Sequence, residues 1–94
     1  MRTIEWTSGF KRDYKRVRAT PRHRDVQVLL PAIASVLADS KPLPEKYRDH
    51  ALSGNWKDHR ECHLKPDLLL IYKFPDETTV RFVRLGSHSE LFAR

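Results

Sequence analysis

Three histidines and one aspartate in the second half of the chain are the residues whose types suit acid–base chemistry: His50, His63, Asp67 and His88. The pKa of an unperturbed imidazole is about 6.5, so one histidine can accept a proton while another donates one near neutral pH. Asp67 opens an apolar stretch, and His88 follows another. We expect a sheet to gather these four side chains at one end. The alternative is that they are scattered surface residues with no shared function.

RNA cleavage is the reaction that fits this set best. A base takes the proton from a ribose 2′-hydroxyl, and an acid across the phosphate protonates the departing 5′-oxygen. Cationic side chains stabilise the charge of the transition state. Three arginines on predicted neighbouring strands are candidates for that role: Arg60, Arg81 and Arg84. Phe92, near the C-terminus, is a candidate for stacking on a base.

Metal and thiol chemistry fit the sequence less well. The segment "HRECH" places His59, Cys62 and His63 within five positions, and zinc accepts all of these ligand types. Strand alternation, however, puts Cys62 on the opposite face from both histidines, and no matching cluster follows downstream. We therefore expect no metal site. Cys62 shares its face with Leu64 and is expected to be a buried free cysteine.

Length and charge limit the class of protein. The chain has 94 residues, which predicts one domain over residues 1–94, and 18 Lys and Arg against 12 Asp and Glu give a net charge of +6. Such a balance suggests an anionic partner, either nucleic acid or an acidic protein. A single cysteine fits a reducing cytosol. No signal peptide and no apolar run of about 20 residues is present, so we expect a cytoplasmic protein without membrane contact.

The first half of the chain predicts a strand followed by helices. Residues 2–6 read as a short strand, and Thr7 or Ser8 can cap a helix over about residues 8–18. Thr20 and Pro21 then suit the start of a second helix. Its apolar stripe is Val26, Leu29, Leu30, Ile33, Val36 and Leu37. Pro31 lies inside this stripe and predicts a kink or a break.

The second half predicts a hairpin-rich sheet. Residues 39–54 read as a loop, and from residue 55 onward the pattern alternates. The stretch 68–74 is apolar on both faces, as in a central strand. A turn at 75–77 leads into a returning strand at 78–85, and Ser87 with Glu90 matches a capping box for a last helical turn ending at Phe92. The predicted class is α+β, a small antiparallel sheet with two N-terminal helices on one face and a short C-terminal helical turn.

Two segments of the sequence resemble the YafQ-type toxins of the RelE/ParE superfamily. They are "LPEKYRDHALSGNWKDHRECHLKPDLLLIYKF" and "RFVRLGSHSELF". The likeness covers most of the chain and is strongest over residues 42–92. It implies a RelE-like toxin domain from a type II toxin–antitoxin system. It also implies an endoribonuclease that cuts mRNA in the ribosomal A site without a metal or another cofactor.

The resemblance assigns functional positions to five residues of this chain: His50, His63, Asp67, His88 and Phe92. We interpret His88 as the general acid. The opposing cluster, which contains the base, is then His50, His63 and Asp67, and the sequence does not say which of the three takes the proton.

Two positions depart from the best-studied member of the family. Glu61 replaces an aspartate, which keeps the charge and lengthens the reach, and we group Glu61 with the arginines and Phe92 as an expected RNA- or phosphate-binding residue. Leu68 replaces a tryptophan and removes an aromatic surface available to RNA. These departures bear on codon preference and rate more than on the reaction class.

The resemblance also implies partners. They are mRNA on the 70S ribosome, with its 16S rRNA, and a cognate acidic antitoxin that would contact operator DNA on behalf of the complex. The alternative function is a non-catalytic module on the same fold that binds an antitoxin and takes part in operator autoregulation.

Overall fold

The chain builds one mixed sheet with helices packed against it. The computed structural model describes residues 1–92. Along these residues the helices and strands are β1 (Thr3–Trp6), α1 (Ser8–Ala19), α2 (Val26–Ala38), β2 (His50–Ala51), β3 (Arg60–Lys65), β4 (Leu68–Asp76), β5 (Thr79–Gly86) and α3 (His88–Phe92). Short 3-10 turns lie at Pro21–His23, Glu45–Tyr47 and Gly54–Trp56. No helix in this part of the chain has both the length and the apolar character needed to cross a membrane.

The strand order of the sheet is β1-β5-β4-β3-β2. β1 runs parallel to β5, while the other neighbouring pairs are antiparallel. The predicted α+β class is confirmed, and the sheet is mixed rather than wholly antiparallel. A parallel pair needs a long connection, and here everything from α1 to β4 lies between the two parallel strands.

The first helix forms as its sequence predicts. Thr7 is the N-cap, and its side-chain oxygen accepts a hydrogen bond from the Phe10 amide at 3.0 Å. Phe10 and Val17 then recur on the face that packs into the core. The basic residues of α1 cover its exposed sides, as the amphipathic pattern indicates.

The second helix begins later than the sequence predicts. Pro21–His23 form a 3-10 turn, and α2 starts at Val26. Pro31 does not break α2, which continues to Ala38. The carbonyl that Pro31 leaves without its helical donor belongs to Gln27, and both residues are exposed, so water can satisfy that oxygen.

The predicted loop and hairpin turn are also corrected. The loop over residues 39–54 contains β2 and a 3-10 turn, so His50 lies on a strand. β4 continues through Asp76, and the turn is Glu77–Thr78 rather than residues 75–77. Asp76 accepts a hydrogen bond from the Thr78 amide at 2.9 Å, which closes this tight turn.

The central strand β4 is apolar on both faces because both faces are covered. Leu68, Leu70 and Tyr72 belong to the main core beneath α1 and α2. Leu69 and Ile71 point to the other face, where they pack with Leu91 of α3. The sheet therefore has a helix-covered face and a second face with a small apolar cluster.

A buried carboxylate joins α1 to β5. Asp13 of α1 is 3% exposed and accepts hydrogen bonds from Arg84 Nε at 2.6 Å and from the Leu85 amide at 2.9 Å. Arg16 Nη1 donates a further bond at 3.0 Å. Burial raises the pKa of Asp13, but these hydrogen bonds lower it more, and the net shift is downward. The carboxylate is thus held in its charged form.

We expect Asp13→Asn to lower the free energy of unfolding by about 3 kcal/mol, because it leaves Arg84 without its buried partner. Urea denaturation at pH 7 measures this, with the exposed Asp39→Asn as the matched control. The folded-state pKa of Asp13 lies below its unfolded value, so wild type should lose this stabilisation as pH falls below about 4. If Asp13→Asn and Asp39→Asn have equal free energies of unfolding across this pH range, Asp13 does not have the role given to it.

Candidate active site

Two of the predicted site histidines converge on Glu61. β3 places Glu61 and His63 two residues apart, on the same face of the strand. Glu61 Oε2 lies 3.2 Å from His50 Nε2 and 3.5 Å from His63 Nε2. The Glu61 side chain is only 4% exposed. Because a buried carboxylate is costly unless it is paired, the two imidazoles are the groups that stabilise its charge.

This position corrects the expectation for Glu61. The sequence grouped it with residues that bind RNA or phosphate, whereas the structure buries its carboxylate against His50 and His63. Its second oxygen, Oε1, is buried without a hydrogen-bond partner among residues 1–92. An anionic, buried side chain is unsuited to contact a phosphate, and its geometry suits holding the two histidines instead.

The short strand β2 brings His50 to this cluster. His50 stands opposite Glu61 in the antiparallel register of β2 and β3. Its side chain is 50% exposed, and its Nδ1 lies 2.8 Å from the carbonyl oxygen of Arg48. The His50 and His63 ring centroids are 6.3 Å apart. The Arg48 carbonyl therefore fixes the Nδ1 side of the His50 ring, and the Nε2 side faces the Glu61 carboxylate.

Asp49 anchors the chain immediately before His50. Its carboxylate accepts a hydrogen bond from Arg60 Nη2 at 2.9 Å and another from the Tyr72 hydroxyl. The bond to Asp49 raises the pKa of Arg60. β3 and β4 thus hold the segment that leads into His50 on β2, and no sequence motif indicates this link.

The register of the central strands sets the width of the site. Leu69 of β4 stands opposite His63 on one side and Gly86 of β5 on the other. Neighbouring strands lie about 4.8 Å apart, so the backbones at His63 and Gly86 are roughly 10 Å apart. His88 begins α3 two residues after Gly86. The structure therefore places His88 and the His50–His63 pair on opposite sides of one strand.

The predicted capping box positions α3. The Ser87 amide donates to Glu90 Oε1 at 2.8 Å, and the Glu90 amide donates to Ser87 Oγ at 3.2 Å. The bond from the Ser87 amide lowers the pKa of Glu90. Arg16 Nε lies 3.3 Å from Glu90 Oε2 and ties α3 to α1. A Cβ at Gly86 would lie 2.9 Å from Glu90 Oε1, so a larger residue there would displace the Glu90 side chain.

An apolar floor lies between the two sides. Leu69 and Ile71 are fully buried there, and Phe92 packs at the edge of the cluster. The Phe92 ring centroid lies 5.0 Å from that of His88 and 6.4 Å from that of Trp56. Phe92 therefore packs against His88, which lies one turn away on α3. Its stacking on a base stays a prediction.

Asp67 lies in the turn between β3, which carries His63, and β4. Its side chain is exposed, and it forms no hydrogen bond or ion pair within the described part of the chain. The turn is held by Lys65, whose Nζ donates to the Arg22 carbonyl at 2.6 Å and to Asp25 at 3.1 Å. The structure does not bring the Asp67 carboxylate into contact with the two histidines, and its catalytic role stays a prediction.

The three predicted phosphate-binding arginines are paired elsewhere. Arg60 binds Asp49 on the helix-covered face. Arg81 Nε donates to Glu5 at 2.8 Å, and Arg84 binds the buried Asp13. The structure therefore does not place these guanidinium groups at the histidine cluster, because each has a carboxylate partner in another element.

Two further expectations concern positions 62 and 68. Cys62 is fully buried in the main core, and burial raises the pKa of its thiol, which suits a small apolar core residue. Leu68 is also fully buried in that core. Its departure from tryptophan therefore affects packing beneath the helices, and the expected loss of an RNA-facing surface is wrong for this chain.

The comparison with protein families matches most of the chain. Residues 2–93 match the family described as bacterial toxin of type II toxin–antitoxin system, YafQ. The mRNA interferase toxin YafQ of Escherichia coli strain K12 is 40% identical over 91 residues, which cover 97% of this chain and 96% of that protein.

Solved structures agree. The crystal structure of YafQ from E. coli strain BL21(DE3) superimposes with a TM-score of 0.86 at 36% identity, covering 99% of this chain and 100% of that one. The E. coli DinJ–YafQ complex gives 0.83 at 37% identity, with coverages of 99% and 100%. A metal-bound toxin from Helicobacter pylori gives 0.83 at 48% identity, with coverages of 98% and 100%.

The fold and the matched residues define a bacterial toxin of the type II toxin–antitoxin class. Within that class, the chain belongs to the YafQ family. The family resemblance seen in the sequence is confirmed, as is the fold that it implies.

Glu61→Gln tests whether this residue positions the histidines. We expect kcat for RNA cleavage to fall about 100-fold with little change in KM, because small displacements of catalytic groups have effects of that size. The pH dependence of kcat should also change, since the variant removes a charge beside both imidazoles. Glu61→Asp, which restores the charge, should recover most of the rate. A Glu61→Gln enzyme with normal kcat and an unaltered pH profile would rule the role out.

Ser87→Ala tests the support of His88 by the capping box. We expect a loss of about 1 kcal/mol in local stability, because the Glu90 amide loses its acceptor. Hydrogen exchange at the Glu90 and Leu91 amides should quicken, and cleavage should slow. Ser35→Ala, at an exposed serine of α2, is the control. Unchanged exchange at both amides would show that the cap does not order α3.

Proposed function

We propose that the chain is a ribosome-dependent endoribonuclease that cleaves mRNA in the A site by metal-independent general acid–base catalysis. The observation that carries this proposal is the placement of His88 across one strand from the His50–His63 pair. Its YafQ relative in E. coli is named an mRNA interferase toxin, which supports the reaction class.

That separation supports the following reaction. One member of the His50, His63 and Asp67 cluster takes the proton of a ribose 2′-hydroxyl, and the 2′-oxygen attacks the adjacent phosphorus. The bond from phosphorus to the 5′-oxygen breaks on the opposite side, where His88 protonates the leaving oxygen. The products are a 2′,3′-cyclic phosphate and a 5′-hydroxyl end. A proton acceptor and a proton donor on opposite sides of one strand suit this in-line arrangement.

Glu61 acts on this step through the histidines. A carboxylate fixed between two imidazoles orients both rings for proton transfer. The apolar floor of Leu69 and Ile71 keeps water away from one side of the site, which strengthens these electrostatic interactions. No bound cofactor takes part in the proposed step.

The proposed partners are the ribosome and an antitoxin. E. coli YafQ has been crystallised with DinJ, and this chain, with a net charge of +6, suits an acidic antitoxin of the same kind. Operator DNA would be contacted only through that antitoxin. The A site, with its 16S rRNA, would hold the mRNA in the in-line geometry, and the toxin would act in the cytoplasm.

Metal independence needs a specific test, because the similar H. pylori toxin is described as metal-bound. Among residues 1–92 of this chain, no group of three or more His, Cys, Asp or Glu side chains is arranged to hold a metal ion. The chemistry proposed above gives a product that metal-activated water does not give, namely the cyclic phosphate.

The test uses E. coli 70S ribosomes programmed with a defined mRNA and protein dialysed against EDTA. Mg²⁺ is kept for the ribosome, while a chelator selective for transition metals is added. Primer extension should map cuts to the A-site codon, and free mRNA should stay intact. His50→Ala, His63→Ala and His88→Ala should each slow cleavage about 100-fold or more.

A 2′-O-methyl group on the nucleotide 5′ of the cut serves as the substrate control. It should abolish cleavage, because the attacking hydroxyl is gone. Cleavage that survives this change, or that requires a transition metal, would refute the mechanism. Intact mRNA with wild-type protein that still binds an acidic antitoxin would favour the non-catalytic module.

A further inference from the structure

A cavity opens beside the edge of β3, next to the histidine cluster. Its volume is about 400 Å³, within the roughly 300–1,000 Å³ usual for small-ligand sites. β2 pairs only with Arg60 and Glu61, so the following part of β3 has β4 on one side and no strand on its outer edge. His63 lines the cavity and also contacts Glu61. The cavity is therefore continuous with the candidate active site.

The walls of the cavity are largely apolar and include one aromatic ring. Leu29 of α2, Leu64 of β3 and Pro66 form part of the lining, together with the half-buried Tyr47. A flat aromatic side chain beside aliphatic groups is the usual surface on which proteins stack an unpaired nucleobase.

The mouth of the cavity carries two cations without counter-ions. Lys46 and Arg48 line it and are exposed, and neither forms an ion pair within residues 1–92. The third cation there, Lys65, is already bound to Asp25. Since the three arginines first considered are all paired with carboxylates, Lys46 and Arg48 are the cations near the histidines that are available to a phosphate.

The backbone at Arg48 adds a second connection to the active site. Arg48 has φ 49° and ψ 42°, a left-handed conformation that favours glycine. In this conformation its carbonyl oxygen lies 2.8 Å from His50 Nδ1. The backbone thus orients His50, while the side chain lines the cavity. An arginine that occupies a left-handed position is a candidate for a functional role of its guanidinium group.

We propose that this cavity binds the nucleotide that donates the attacking 2′-hydroxyl, with its base against Tyr47 and its 5′-phosphate on Lys46 and Arg48. This inference rests on the proposed function, because it uses His88 as the acid. The histidines opposite His88 then stand beside the 2′-hydroxyl, and the nucleotide 5′ of the cut lies on their side. The cavity is the concave surface that adjoins them there.

The first experiment measures RNA binding independently of cleavage. An all-2′-O-methyl RNA hexanucleotide, which cannot be cut, is titrated into the ¹⁵N- and ¹³C-labelled protein. Resonances of Tyr47, Arg48 and Pro66 should shift together with those of His63. Arg48→Gly keeps the left-handed backbone and removes the guanidinium, so it should fold normally and bind about tenfold more weakly. The slope of log K against log salt should fall by about 0.7 for the lost phosphate contact.

The second experiment reads specificity from the cut sites. Tyr47→Leu keeps apolar volume and removes the ring. Mapping many ribosomal cleavage sites should show a weaker base preference at the nucleotide 5′ of the cut and an unchanged preference on the 3′ side. Lys41→Ala, a nearby exposed lysine outside the cavity, is the control for loss of one positive charge, to be compared with Lys46→Ala.

The outcomes separate this inference from the proposed function. RNA that shifts His63 and His88 but leaves Tyr47 and Arg48 unchanged would overturn the nucleotide site, even if cleavage is normal. Cavity shifts caused by an acidic antitoxin peptide but not by the RNA would overturn it as well. RNA bound in the cavity of a protein that leaves ribosomal mRNA intact would uphold the site, and only the cleavage mechanism would fail.

Discussion

Asp13 is charged and almost fully buried, and this constraint fixes the groups around it. Its carboxylate requires donors, which come from the Arg84 side chain, the Leu85 amide and Arg16. Arg16 also donates to the Leu85 carbonyl at 3.2 Å and reaches Glu90, which caps α3. A line of charge-assisted contacts thus runs from the first helix to the turn that carries His88. These contacts tie the N-terminus of α3 to α1 and to the end of β5.

The sheet supplies the other half of the site. β4 is buried on both faces. A shift of its register against β3 or β5 would therefore expose its leucines. Since β3 and β5 pair with it on either side, their functional residues are held at a fixed separation. The same apolar residues that stabilise the fold therefore also set the spacing between the strands that carry His63 and lead into His88. The titratable side chains of β3 alternate with core residues such as Cys62 and Leu64, which anchor the strand.

Local signals in the sequence were sufficient where one segment decides the structure. The apolar run at 68–74 predicted the central strand, and Ser87 with Glu90 predicted the cap of α3; both are present. Partner choice between distant segments was not predictable in this way. The paired state of Arg84 depends on Asp13, 71 residues away. His50 lies on a strand because it pairs with Glu61 of the neighbouring strand β3. A two-residue edge strand is too short to show a periodic pattern in the sequence.

Charge pairing explains why the sequence alone does not indicate which cations are free to bind an anion. A lysine or arginine bound to a carboxylate is already partly neutralised, so a phosphate must compete with that partner for it. The chain satisfies Arg60, Arg81 and Arg84 within its own fold, and the described region leaves Lys46 and Arg48 exposed beside the histidines. The arginines that stabilise the fold are therefore different from the arginine that remains exposed beside the cavity. A net charge of +6 shows only that cations are in excess, whereas their pairing decides which of them can meet an anionic ligand.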